Sequence, residues 1–305
     1  TGDLPSGRAK LYGEAVKVLL WSWNAEGFTD RINLDDAEPR LAWVAYDMMQ
    51  EGIQRISRTQ LRASLQAANI ELENTFGLSR LDPVSFIDRI EYRSSLLMLT
   101  GKDNEGGQIV DFYEFRHLTF QEYLTARACV EGWHAGRAEC DSLADVLRQH
   151  LDDENWKEVI PLAAVLGGKQ TAPLLTVLHE AIRLADPMTS SVMHPLALLV
   201  QCLADEAPAS PALVEQAAYC LLANAWHLDM LPQSRQFWRG RYGQPVRQFA
   251  VTLLQNGEYL VPAVHLLNNR IEAVRLIEDL GEMKQKDFEL SPIDSITKLH
   301  PLHLT

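Results

Sequence analysis

Apolar positions in the first third of the chain recur at helical spacing and then switch once to the pattern of a strand pair. From Ser6 to Trp23, Leu11, Ala15, Val18 and Leu19 mark one face of a predicted helix, with Tyr12, Val16, Leu20 and Trp23 beside it and Ser6 suited to its N-cap. An acidic loop around Asp30 to Glu38 leads to a second helix from about Pro39. It carries Leu41, Val44, Ala45 and Met48 and stops near Gly52. Ile53 to Ile56 reads as a short strand. Ser57 and Gln60 then spell S-x-x-Q, the capping box of a helix holding Leu61 and Leu65. Asp82 and Pro83 supply the N-cap and first residue of another helix, through Phe86, Ile87 and Ile90. Leu96 to Leu99 and Ile109 to Phe115 bracket the polar turn KDNEGG and predict a hairpin. Helix, short strand, two helices and a two-stranded wing make a winged helix.

The next stretch, FYEFRHLTFQEYLTAR from Phe112 to Arg127, passes abruptly from strand to helix. Thr119 and Glu122 spell T-x-x-E, which predicts a second capping box, with Leu118 and Tyr123 as its hydrophobic staple. Phe120, Leu124, Ala128 and Glu131 follow at helical spacing, an inward stripe of two turns that then fades. His117 therefore stands just before a helix N-terminus, where backbone N–H groups and the helix dipole favour an anion. Spacing alone leaves two readings: a structural histidine pinning strand to helix, or an anion contact.

Beyond Trp133 the pattern is helical almost throughout. Ser142 starts a helix with Leu143, Val146 and Leu147; Asn155 suits the cap of one with Val159, Ile160 and Leu162. Thr171 opens one with Leu174, Leu175, Leu178 and Ile182, and Ser210 with Pro211 opens one with Leu213, Val214, Ala217 and Leu221. Pro161 and Pro195 lie 34 positions apart, as do Pro211 and Pro245, and Pro262 follows Pro195 at about two such periods. Periods of this size in a helical chain point to an α-solenoid of HEAT-like or TPR-like helix pairs. The expected fold class is mainly α, a winged helix followed by a helical-repeat array.

Composition narrows the function classes. A net charge of −13 over 305 residues argues against a general nucleic-acid or anionic-membrane surface. The would-be recognition helix sets Asp82, Asp88 and Glu91 against Arg89 and Arg93, and the wing sets Lys102 against Asp103 and Glu105. No apolar run has the length of a membrane span, and the start has no signal-peptide pattern. The chain starts at Thr1 and reads as a piece cut from something longer. Cys129, Cys140, Cys202 and Cys220 form no C-x-x-C, so a reducing cytoplasm is the expected compartment. No catalytic constellation is legible. LGGKQT around Lys169 lacks the hydroxyl residue and first glycine of a phosphate loop, and HEAIR at His179 lacks the second histidine of a zinc site. His300 and His303 lack a third ligand.

Two motifs resemble those of NACHT-family signalling ATPases of the STAND class, the bacterial NLR-like proteins. Phe115, His117, Thr119, Phe120, Gln121, Glu122, Tyr123 and Ala126 fit the F-x-H-x-T-F-Q-E-[YF]-x-A that ends the family's winged helix. Leu4, Pro5, Arg8, Leu11 and Tyr12 fit its L-P-x-x-R-x-x-L-Y helix entry, although Pro5 does not take the adenine-contact role, which belongs to a proline further upstream. The resemblance implies residues 1–30 as the end of a helical domain after the NACHT core, 31–132 as the winged helix and 133–305 as the repeats. It implies that His117 touches the β-phosphate of ADP, with ADP or ATP and Mg held only together with an upstream core supplying the Walker motifs. The implied whole is a nucleotide-switched signalling ATPase, in prokaryotes commonly one of anti-phage defence. Its partners would be the NACHT core, a protein trigger on the repeats and, on activation, further copies of itself. The competing readings are a DNA-binding winged-helix regulator and a helical protein-binding scaffold.

Overall fold

The computed structural model describes residues 7–21, 33–93, 96–185, 192–224, 228 and 231–255. The expectations for Leu4, Pro5, Ser6, Trp23, Pro262, His300 and His303 lie outside those residues, as do the side chains of Ile90, Glu91 and Arg93.

Helix α1 (Arg8–Trp21) turns inward one of its two adjoining apolar rows, that of Val16 and Leu20. Ala9, Val16 and Leu20 are buried, while Leu11 and Val18 are exposed. Both faces carry apolar residues, and the inward one bears small residues that permit a close helix crossing. Helix α2 (Leu34–Gln50) starts before Pro39, because Asn33 accepts the N–H of Asp35 at 3.1 Å. Asp35 and Asp36 thus belong to its first turn, where negative charge suits the dipole, and not to a loop. Pro39 sits inside the helix. Next to it, fully buried Arg40 donates to the Asn69 side chain at 2.7 Å and to the carbonyls of Asp36 and Ser79. These bonds fix α2 to the helix and loop that follow and satisfy a charge that burial would otherwise make costly.

Strand β1 (Arg55–Ser57) runs into α3 (Arg58–Phe76), whose predicted capping box is present with both reciprocal bonds. Asp82 caps α4 (Pro83–Arg93), accepting the N–H of Ser85 at 2.9 Å. Strands β2 (Leu97–Glu105) and β3 (Gln108–Phe115) form the wing, and with β1 they make an antiparallel sheet of order β1-β3-β2. The hairpin is longer than expected: Lys102 to Glu105 belong to β2, paired as far as Glu105 with Gln108. The turn itself is Gly106 and Gly107, with φ of 60° and 89°, the positive pair that a tight two-residue hairpin demands.

Helix α5 (Leu118–Glu131) is the centre of the packing, lying against α1, α2, β3 and the first helices of the C-terminal part. Every side chain from Phe120 to Ala126 is buried, so α5 is interior all round rather than striped. There follow α6 (Leu143–Arg148), α7 (Val159–Leu166), α8 (Thr171–Leu184), α9 (Met193–Ala204), α10 (Pro211–Ala223), α11 (Ser234–Arg239) and α12 (Gly243–Gln255). Ser142 caps α6 as expected. Asn155 does not cap α7; it lies in a 3₁₀ turn capped by Asp153. Thr171 is the first residue of α8, and its hydroxyl donates to Ala164 O at 2.6 Å, tying α8 back to α7.

Pro161, Pro195, Pro211 and Pro245 each fall in the first turn of a helix, where a missing N–H costs no intrahelical bond. Contacts run from α7 to α8 and α9, and from α8 to α10 and α10 to α12, a neighbour-to-neighbour pattern compatible with stacked pairs. One apolar cluster nonetheless runs unbroken from Ala9 to Leu253. At its middle, Trp156 stacks on His150 with ring centroids 3.6 Å apart, and Tyr46 stacks on His134 at 4.7 Å.

Candidate functional site: the groove beside His117

His117 has extended backbone dihedrals, φ −138° and ψ 141°, and is the N-cap residue of α5. Its carbonyl accepts the N–H of Phe120 at 3.0 Å, while Arg116 N–H bonds Leu96 O at 2.9 Å and anchors the strand exit. No side chain caps this helix start. Thr119 therefore does not form the expected box; the helix begins two residues earlier than that box requires, at Leu118 with His117 as its N-cap. Glu122 is drawn inward to 8% exposure instead of reaching back. The expected staple is absent too, because Leu118 is exposed and Tyr123 is buried.

The imidazole of His117 is exposed, and its described contact is with the Phe120 ring, 5.9 Å between centroids. It stands at the rim of an open groove of about 430 Å³. One wall is the outward side of α1, with Leu11, Ala15, Val18 and Leu19; the other is Arg116, His117 and Phe120. Leu11 at 43% and Val18 at 63% exposure make this wall strongly apolar, with Glu14 as its acid. An exposed histidine and arginine at an uncapped helix N-terminus suit an anion. The apolar wall suits a protein surface.

The walls are held close by an absence. A Cβ on Gly13 would lie 2.8 Å from Tyr123 Oη, so glycine alone lets α1 approach α5 at this point. Tyr12 completes the contact edge-on to Tyr123, centroids 6.4 Å apart.

Behind the first turn of α5 lies a charged cluster that sequence reasoning missed. Arg8, at the start of α1, donates to Asp205 at 2.7 Å and also to Glu158. Desolvation and the nearby Glu158 carboxylate push the Glu122 carboxyl up to about 7, against the opposing effect of Arg8 and Lys157.

The other sequence candidates are not brought into this site. Lys169 lies in a 3₁₀ turn after the α7 C-cap Gly167, and His179 lies within α8. Among the described residues no group of three or more His, Cys, Asp or Glu could hold a metal ion, and no helix is long and apolar enough to cross a membrane. On the winged helix, Asp88 pairs with Arg58, Lys102 faces Asp111 at 3.7 Å, and Arg55 faces Asp103 at 3.6 Å. These bases serve carboxylates of the same unit.

Residues 8–129 match the winged helix-turn-helix domain C-terminal to NACHT. The chain carries a NACHT-associated winged helix. The match spans α1 to α5, and so includes both walls of the groove and His117. In that family the winged helix is one that lies C-terminal to a NACHT domain. No curated protein and no solved structure matches the chain.

Proposed function

We propose that the chain is the regulatory and sensing portion of a nucleotide-switched NACHT ATPase of the cytoplasm, in which the winged helix reports the nucleotide state. The observation that carries this reading is His117, exposed at an uncapped helix N-terminus on the rim of an apolar groove. In the longer polypeptide the groove seats the NACHT core, and His117 donates a ring N–H to the β-phosphate of ADP held by that core. The α5 dipole favours the same anion, and Arg116 adds a positive charge beside it. A bound nucleoside diphosphate supplies the charged acceptor; this chain supplies the donor and the apolar seat. Losing the bond then releases the core. Helices α6 to α12 would present the surface for a protein trigger, and opening would allow further copies to assemble, in the setting of anti-phage defence.

The test uses the polypeptide that includes the NACHT core. A hydrogen bond to a charged group contributes roughly 1.5–3 kcal/mol. His117→Ala is therefore expected to weaken ADP retention about 10- to 100-fold and to raise trigger-free oligomer formation. Unchanged ADP affinity and unchanged basal assembly would reduce His117 to a strand-to-helix pin.

A further inference from the structure

Arg8 joins parts of the chain that are far apart in sequence. Its Nε donates to Asp205 at the end of α9, a second nitrogen lies 2.6 Å from the same carboxylate, and a third reaches Glu158 just before α7. Asp205 also accepts from Gln201 at 3.0 Å, and Gln236 of α11 reaches both it, at 3.4 Å, and the Ala204 carbonyl, at 3.3 Å. The Asp205 side chain is only 3% exposed and sits at a helix C-terminus, where the dipole opposes a carboxylate. Arg8 is the cation that makes this burial tolerable. Removing one member of such a pair leaves an uncompensated charge, so the clasp resists partial opening. Glu206, next to Asp205, is held at φ 62°, a conformation a non-glycine residue adopts only when its surroundings impose it.

We propose that this clasp couples the helical array to the His117 groove, transmitting a displacement of α9 and α11 to α1. The geometry is direct: Arg8 is the first residue of α1, and the outward side of α1 is one wall of the groove. Glu122, on the second turn of the opposite wall helix, faces the same cluster, together with Glu158 and Lys157 before α7 and Arg8 of α1. A protein binding the array can therefore reposition the wall without touching it. Coupling of this kind needs an element that both sites bias, and α1 is that element.

This inference does not depend on the nucleotide reading, because it is tested on the 305-residue chain without nucleotide. Hydrogen exchange is followed in Asp205→Asn and Glu158→Gln. Asp205→Asn keeps the side-chain shape but removes the charge that Arg8 serves, and it should speed exchange in α1 at least tenfold. The β2–β3 wing should keep wild-type protection. Glu158→Gln, which leaves Arg8 with its better-buried partner, should give a smaller rise at the same amides. Faster exchange confined to residues 201–207 and 234–239 would overturn the proposal, as would an equal loss of protection across the whole chain including the wing. Arg8→Ala, should it fold, is expected to show the α1 effect most strongly; should it fail to fold, the two carboxylate variants still decide.

Discussion

The starts of α3 and α5 carry nearly the same signature and end differently. Ser57-x-x-Gln60 forms a capping box with both bonds made, whereas Thr119-x-x-Glu122 forms none. At the α3 start Ser57 is itself buried, its hydroxyl donating to Glu105 of the wing at 2.6 Å, but the Gln60 side chain is exposed and free to reach back to the Ser57 N–H at 3.1 Å. At the α5 start His117 and Leu118 are exposed, but Glu122, the residue that would reach back, is buried and answers to packing first. Gln121 donates to Ile53 O at 3.0 Å, and Glu122 goes inward toward Arg8 and Glu158. A local motif is obeyed where tertiary structure leaves the residues free, and overridden where it does not.

Measurements on the two starts can break this contrast, and the largest effect belongs to Glu122. Its carboxyl ionises near 7 in the folded chain against an ordinary 4.5, because burial disfavours the charge. A raised folded pKa contributes stability that is complete below 4.5 and lost as pH rises through about 7. Glu122→Gln removes that loss. Its stability relative to wild type should therefore climb by about 3 kcal/mol between pH 4.5 and pH 8 in urea titrations. The comparison must be a difference, since His150, lowered to about 4 by desolvation, contributes with the opposite sign over the same range. A flat difference would mean that Glu122 is solvated and that the two starts are alike after all.

The next effect is smaller. Ser57→Ala should cost about 1 kcal/mol, the ordinary value of a side-chain N-cap. Thr119→Ala should change stability by less than about 0.5 kcal/mol, since no capping bond is lost. Equal costs for the two, measured by thermal melting, would show that Thr119 caps α5 in solution. Smallest of all, His117→Ala in this chain should leave the melting temperature within about 1 °C of wild type, because the exposed ring makes no hydrogen bond to a described residue. A clear destabilisation would favour the structural pin over the nucleotide contact.

Much of the winged helix was legible because its signals are local. The Ser57 box, the Asp82–Pro83 start and the glycines of the wing each act within a few residues. The position of His117 at a helix start was legible for the same reason, and so were the prolines at the starts of α7, α9, α10 and α12. What sequence could not show depends on distant partners. Which of the two apolar rows of α1 faces inward was not legible, because Leu11 and Val18 look as much like core residues as Val16 and Leu20 until the groove is seen. Arg8 gave no hint of Asp205, nearly 200 residues away. Nor does any local signal mark Arg40 for the interior; it is fully buried because Asn69 and two carbonyls receive it.

The contact between Gly13 and Tyr123 has a use beyond packing: it acts as a shim of zero thickness between the two walls of the groove. Glycine inside a helix costs about 1 kcal/mol relative to alanine, so Gly13→Ala gains propensity while it loses fit against Tyr123. The two effects are of similar size and opposite sign, which lets the spacing of α1 and α5 change with little change in overall stability. Alanine, serine and valine at this one position would then widen the groove in steps. The opening beside His117 could thus be tuned like a gap set by feeler gauges, with every residue that lines it left in place.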